Sequence, residues 1–134
     1  MIVAEHWGWP VATHAGLEMG EMFCHSLWPP YYYVVEDDRG IVGFAGFKAS
    51  WVMSNTYELI WVNVATRALG NGVGRMLTQK RLDEIKRRGG ALVTLMTQKP
   101  LFFAKFGFRS LANFDGWELM VRQIAPVTLN ERQA

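Results

Sequence analysis

Glu58 to Gly90 reads ELIWVNVATRALGNGVGRMLTQKRLDEIKRRGG, and this stretch decides the fold. Its first part, Glu58 to Val64, is rich in β-branched and aromatic residues, as a strand requires. Gly70, Gly72 and Gly74 then lead directly into a helical pattern. Glycine lets backbone amides approach a ligand closely, and the first turn of a helix presents unpaired N–H donors at the positive end of its dipole. A strand, a glycine turn and a helix in that order therefore build an anion site suited to phosphates. The helix is expected from Gly72 to Arg88, with Val73, Leu77, Leu82 and Ile85 within one half of its cylinder. Lys86, Arg87 and Arg88 followed by Gly89 and Gly90 are its stop signals. Arg81 falls inside the apolar half, where its long stem can carry the guanidinium out to water. The cations of this helix, Lys80, Arg81, Lys86, Arg87 and Arg88, read as a solvated face.

The flanking sequence supplies the rest of one domain. Ile2 to Ala4 is expected as a short strand, and Thr13 as the N-cap of a helix that reaches about Trp28 and stops at Pro29-Pro30. Tyr31 to Val35, the turn Glu36 to Gly40, and Ile41 to about Met53 form an antiparallel hairpin. Tyr31 and Tyr33 share one strand face and Tyr32 takes the other. Ser54 to Thr56 is the turn into the strand at Glu58. Beyond the long helix, Ala91 to Thr97 is a strand, Pro100 to Lys105 a short helix that ends before Gly107, and Phe108 to Leu111 and Trp117 to Ile124 are two further strands. The order β α β β β α β α β β places the chain among mixed α/β, or α+β, domains. The single long helix between the strand at Glu58 and the strand at Ala91 suits a parallel βαβ crossover.

Composition narrows the class. The chain has 134 residues, half of them hydrophobic and 13% aromatic, enough for a single packed core and unlike a disordered tail. A formal net charge of +2, from 14 basic and 12 acidic residues, suits local anion binding better than adhesion to nucleic acid or membrane. With one cysteine, Cys24, neither an intrachain disulfide nor a cysteine-based zinc site can form, so a reducing cytoplasm is the expected compartment. No apolar run approaches the ~20 residues of a membrane span. Cys24 and His25 are adjacent, about 100° apart on a helix, and read as packing and surface residues. His6 and His14 lack metal-ligand spacing, and no metal is expected. The tail after Pro126 is polar and expected to fray.

Two familiar phosphate loops do not fit the glycine turn. A P-loop needs Lys-Ser/Thr after its glycines, where this chain has Arg75-Met76, and a dinucleotide fingerprint needs glycine at the position of Arg75. The remaining pattern, G-x-G-x-G at a helix start after a strand, resembles the pyrophosphate motif of the GNAT superfamily of acyl-CoA-dependent N-acetyltransferases. That motif runs approximately V-x-P-x-x-R/Q-G-x-G-x-G/A-x-x-L. Here it is matched by Val64 to Leu77, with Thr66 for the common proline and Leu69 for Arg or Gln. Leu101-Phe102-Phe103-Ala104-Lys105-Phe106-Gly107-Phe108 looks like the second family signature, F-Y-x-K-x-G-F. With Leu95-Met96-Thr97-Gln98 before it, the stretch is similar to the amino-acid N-acetyltransferase-like branch. The resemblance covers about Val34 to Val121 and leaves residues 1–30 as a shortened, divergent region.

The resemblance implies a GNAT-like fold over residues 1–134, with a mixed, mostly antiparallel sheet of about six to seven strands flanked by helices. It implies transfer of an acetyl group from acetyl-CoA to a primary amine by direct attack in a ternary complex, with a small-molecule acceptor favoured and a protein amine open. Leu69, Gly70, Asn71, Gly72, Val73, Gly74 and Arg75 would hold the pyrophosphate, Arg67 or Arg75 supplying charge in place of the residue that Leu69 replaces. The Val62 amide would lie near the acyl carbonyl, Val64 along the pantetheine arm, and Phe103 at the position of a tyrosine that protonates the leaving thiolate in many members. Glu58 occupies the position of a general base, although a glutamate paired with a neighbouring cation is an equal reading. Trp28, Tyr31, Tyr32, Tyr33 and Trp51 could line an acceptor pocket, although core packing suits most of them. A homodimer through the last strands is left open, as is a catalytically weak or inactive acyl-CoA-binding or partner-binding protein on the same fold. A nucleic-acid binder using the basic helix is the remaining rival, and would show salt-sensitive association.

Overall fold

The computed structural model describes residues 2–8, 12–13, 16–17, 19, 29–50 and 53–125. Its elements are α1 (Ile2–Trp7), β1 (Tyr31–Asp37), β2 (Gly40–Ala49), β3 (Thr56–Val64), a 3-10 turn (Thr66–Ala68), α2 (Val73–Arg87), β4 (Leu92–Thr97), α3 (Pro100–Ala104), β5 (Arg109–Phe114) and β6 (Trp117–Gln123). They form a six-stranded sheet in the order β1-β2-β3-β4-β6-β5, antiparallel throughout except between β3 and β4. The one parallel pair is the pair joined through α2, as the long-helix crossover predicts.

Sequence patterning accounts for most of this. Residues 38–39 turn the first hairpin, where the Arg39 N–H donates to Asp37 Oδ1 at 2.8 Å. β2 buries Val42 to Phe47, and Phe47, fully enclosed, stacks on Tyr31 and Tyr33 at 5.6 and 6.3 Å. Helix α2 lies across the sheet and buries Val73, Leu77, Thr78, Arg81, Leu82 and Ile85. Leu82 and Ile85 join Phe47, Leu59, Val93, Leu95, Phe103, Phe108 and Met120 in the main core, each large apolar side chain contributing about 1.5–3 kcal/mol on burial. The end of α2 is a Schellman motif. Gly89 takes φ +82°, and the amides of Gly89 and Gly90 bond to Lys86 O and Ile85 O at 3.0 and 2.9 Å. As the alternation in Tyr31–Tyr33 predicts, Tyr31 and Tyr33 pack on the α2 side, while Tyr32 joins a separate cluster with Ile2, Ala12, Phe44 and Trp61.

Several boundaries and one element differ from the sequence reading. Ile2 to Ala4 is part of helix α1, not a strand, so the sheet has six strands among the described residues. A six-residue helix does not stand alone in water. This one is anchored by burial of Ile2, by Glu5, which accepts from the Thr66 N–H and Oγ1 at 3.2 and 3.1 Å, and by His6. Ala12 and Thr13 are both helical, so Thr13 is not the N-cap, and most of the expected helix to Trp28 lies outside the described residues together with His14, Cys24, His25, Trp51 and the tail. β2 stops at Ala49, before Met53, because Ser50 N–H already bonds Thr56 O at 2.8 Å in the return toward β3. β5 runs to Phe114, beyond Leu111, as the outer strand of the sheet.

Candidate active site

The site begins where two strands part. β3 and β4 pair only at Thr56↔Leu92, Tyr57↔Val93 and Glu58↔Thr94, although β3 continues to Val64 and β4 stays paired with β6 as far as Thr97↔Glu118. Leu59 to Val64 therefore present an edge that β4 does not cover. Ala65 N–H bonds Val42 O at 2.7 Å, so by antiparallel alternation Val64, opposite Gly43, turns its own N–H and C=O away from β2. The same alternation turns Val62 outward. His6 Nε2 lies 2.8 Å from Val64 O, which places α1 over the end of this edge.

A β-bulge sets that geometry. Phe44 opposes Asn63 and Gly46 opposes Ile60, so Trp61 and Val62 together face Ala45. Trp61 has φ +45°, a left-handed conformation that costs on the order of 1–3 kcal/mol for a bulky residue. The compensation comes from Arg81. Its guanidinium is fully buried and donates to Gly46 O at 3.0 Å, Ile60 O at 3.3 Å, Leu77 O at 3.2 Å and Thr78 Oγ1 at 3.2 Å. Thr78 Oγ1 in turn donates to Gly74 O at 2.8 Å. Burial pushes Arg81 down to about 9, which leaves it protonated at neutral pH. The expectation that Arg81 reaches solvent, as part of a solvated cationic face, is thus overturned: three carbonyls and a hydroxyl under the sheet satisfy it. Two of the cations at the end of α2 are also engaged. Arg87 and Arg88 both hold Glu84, and Arg88 lies over the Tyr31 ring at 3.9 Å.

The edge leads into the glycine loop. Gly70 and Gly72 take φ of +83° and +78°, and a Cβ at either would meet nothing within 4 Å, so their need for glycine is conformational and the space in front of them is open. The first bond into α2 is Met76 N–H to Gly72 O at 2.9 Å, and no side chain caps the amides before it. Leu69, Asn71 and Arg75 are exposed, while Val73 is buried beneath the loop. Arg67 forms a two-bond pair with Asp37, at 2.5 and 3.0 Å, so it is committed away from the loop. Among the described residues Arg75 forms no ion pair and remains the loop's available cation. These features fit a pyrophosphate: unspent helix-start amides, an uncrowded approach and one exposed guanidinium.

Glu58 sits at the fork, at the last β3–β4 pairing position, with Thr94 as its β4 partner. Across β2 it faces Lys48, whose Nζ is 4.0 Å from Glu58 Oε2, both side chains about two-fifths exposed. The sequence also singles out Phe103, but its ring is buried in the core, edge-on to Phe102 at 5.0 Å and to Phe108 at 6.0 Å. Phe102 is the ring that approaches the loop, its Cζ lying 3.6 Å from where a Cβ at Gly74 would be and Val64 Cγ2 at 3.8 Å. The structure thus brings together Val62, Val64 and the loop, adds Glu58 at the fork, and turns Phe103 inward. Tyr31 and Tyr33 are taken up by packing against Phe47. Sequence reading missed the bulge and the role of Arg81; a cation at an apolar helical position was its only trace. Among the described residues no group of three or more His, Cys, Asp or Glu side chains could hold a metal, and no helix is long and apolar enough to cross a membrane.

Comparison with known proteins finds the same fold. Aminoglycoside 6'-acetyltransferase type Ii superposes with a TM-score of 0.73 at 20% identity, over 95% of this chain and 88% of that one. The ribosomal-protein-S18-alanine N-acetyltransferase from Escherichia coli gives 0.69 at 19% identity, over 93% and 83%. The PaiA N-acetyltransferase from Thermoplasma acidophilum, solved in complex with coenzyme A, gives 0.62 at 17% identity, over 70% and 60%. At these identities the likeness is one of fold. No curated protein matches in sequence. The sequence profile of the acetyltransferase (GNAT) family matches residues 3–108, most of the chain. The chain belongs to the acetyltransferase (GNAT) family.

Proposed function

We propose that this protein transfers an acetyl group from acetyl-CoA to a primary amine by direct attack, with the acyl-CoA lying along the open β3 edge and its pyrophosphate on the glycine loop. The observation that carries this reading is the β3 edge from Leu59 to Val64, which β4 leaves uncovered and which leads through the 3-10 turn and the glycine loop to the start of α2, where no side chain caps the amides. The amides of Gly70 and of Gly72 to Arg75 bind the pyrophosphate with the help of the Arg75 guanidinium, the Asn71 N–H being bonded to Ala68 O, and the outward groups of Val62 and the outward N–H of Val64 bind the pantetheine and acyl end. In this reading the Val62 N–H hydrogen-bonds the acyl oxygen as negative charge develops there. Glu58 takes the proton of the attacking amine, directly or through water. The leaving thiolate departs unaided or takes a proton from water, because a thiol of pKa near 8.5 is a fair leaving group and Phe103 offers no donor.

A small amine is favoured over a protein amine on the resemblance of Leu95 to Phe108 to the amino-acid branch. The aminoglycoside enzyme and the ribosomal-protein enzyme among the similar structures represent both acceptor kinds. The Lys48–Glu58 pair favours a second reading, in which Glu58 is structural and the protein binds acyl-CoA without turnover. Thiol release from acetyl-CoA over a panel of amines, followed by Glu58→Gln with the best acceptor, separates the two. The enzyme reading expects kcat to fall about 100-fold or more while acetyl-CoA affinity holds. Undiminished turnover in the variant removes Glu58 as the base, and acetyl-CoA binding with no acceptor ever acetylated supports the binding protein.

A further inference from the structure

The cation beneath the bulge is the least expected group in the molecule. A buried charge without a carboxylate is expensive unless every donor is used, and among the described residues Arg81 forms no ion pair. Its donors go instead to the α2 carbonyl of Leu77, the Thr78 hydroxyl, and the carbonyls of Gly46 and Ile60. Gly46↔Ile60 is the pairing position immediately before the β2–β3 register shifts. α2 can lie this close to β2 because Gly43 has no side chain: a Cβ there would come within 2.7 Å of Val73 Cγ1 and 3.3 Å of Leu77 Cδ1. An apolar residue at 81 would pack against the same core but would leave the Gly46 and Ile60 carbonyls without these donors. The chain could recover by closing the bulge into a regular ladder, and that would rotate Val62 by one residue, turning its N–H from the open edge toward β2.

We propose that Arg81 is a positioning residue for acyl transfer: by bonding Gly46 O and Ile60 O it holds the bulge that aims the Val62 amide out of the sheet. The consequence for chemistry rests on the β3 edge being the acyl-CoA site; the consequence for the bulge does not. Arg81→Met keeps the volume and removes the donors, and Arg81→Lys restores a buried cation that reaches part of the carbonyl set.

Amide hydrogen exchange on the free protein reads the bulge. In Arg81→Met, exchange within residues 59–64 is expected to change by at least about tenfold, slower at Val62 as its N–H turns toward β2 and faster at the neighbouring amides that lose the bulge geometry, while the β5–β6 hairpin is unchanged, with Arg81→Lys intermediate. Steady-state kinetics with the best acceptor reads the chemistry. kcat is expected to fall about 10- to 100-fold, less than the roughly 100- to 1,000-fold that outright loss of an oxyanion donor costs because the amide is turned and not removed, with the KM for acetyl-CoA moving by less than about threefold, and Arg81→Lys is expected to recover part of kcat. If Arg81→Met fails to fold, Arg81→Lys alone is read against wild type by the same two measures. Exchange that rises evenly across the sheet, or kcat unchanged within twofold in a variant that is merely less heat-stable, overturns the proposal. If wild type neither binds acetyl-CoA nor acetylates an amine, the proposed function fails, and the exchange pattern still decides whether Arg81 holds the bulge.

Discussion

Two glycine-to-alanine changes, two residues apart, are expected to act in opposite directions. Gly72 sits at φ +78° with nothing within 4 Å of an added Cβ, so Gly72→Ala meets no clash and feels only the left-handed backbone. That conformation costs an L-residue about 1–2 kcal/mol, partly offset by about 0.4–1 kcal/mol from a stiffer unfolded chain, leaving roughly 1 kcal/mol of destabilisation. Gly74 lies in the first turn of α2, and its added methyl would make ordinary contacts with Phe102 at 3.6 Å and Val64 at 3.8 Å. Gly74→Ala should therefore stabilise by up to about 0.5–1 kcal/mol. In thermal unfolding the pair should separate by roughly 5 °C or more for a domain of this size, Gly72→Ala below wild type and Gly74→Ala at or above it. Calorimetric titration with acetyl-CoA supplies the functional half. If the Gly72 variant relieves its strain by turning the loop, it loses charge-assisted bonds to phosphate of about 1.5–3 kcal/mol each, or roughly tenfold or more in affinity. A Gly72→Ala protein as stable as wild type that also binds acetyl-CoA as tightly would show that the left-handed backbone at Gly72 does not need glycine, and Gly74→Ala destabilised by more than about 1 kcal/mol would show that the space beside Phe102 and Val64 does not accept a methyl.

Other changes probe the surroundings. Arg75→Ala should weaken acetyl-CoA binding about three- to tenfold and reduce the salt dependence of the remaining affinity, since an exposed guanidinium acts largely through screened attraction; titrations at two salt concentrations measure both. Glu84 is held down to about 2 from 4.5, first by hydrogen bonds from Arg87 and then by those from Arg88. A depressed carboxyl contributes stability that is complete above its unfolded value and is lost as the pH falls through its folded one. Glu84→Gln should therefore flatten the acid limb of the stability profile between pH 4.5 and about 2 and lower the urea midpoint at neutral pH; an unchanged acid limb would assign the loss to other carboxylates.

What the sequence conveys well is local. The glycine turn, the helix that follows it and the Schellman end at Gly89 each depend on a few adjacent residues, and the hairpin at residues 38–39 likewise. Both family signatures are short enough to read directly. What it conveys poorly depends on partners far along the chain. Arg67 looks available for phosphate until Asp37, thirty positions earlier, is seen to hold it. Ile2 to Ala4 is apolar enough for a strand, and only the distant anchors at Val64 and Thr66 decide for a helix. Arg81 reads as a misplaced surface cation because periodicity reports a position and not the carbonyls beneath it. The bulge at Trp61 carries no glycine to announce it, although it turns the Val62 amide outward. Phe103 lies within a recognisable motif and still packs into the core, since a motif position does not fix which way a ring faces.

Acyl-CoA is expected to occupy the open β3 edge and the glycine loop together. Titrating coenzyme A into the isotope-labelled protein and following each backbone amide by NMR tests it most directly. The largest shifts are expected on Gly70 to Arg75 and on Val62 and Val64, with little change in β5. Shifts centred elsewhere, or none at millimolar coenzyme A, would contradict it.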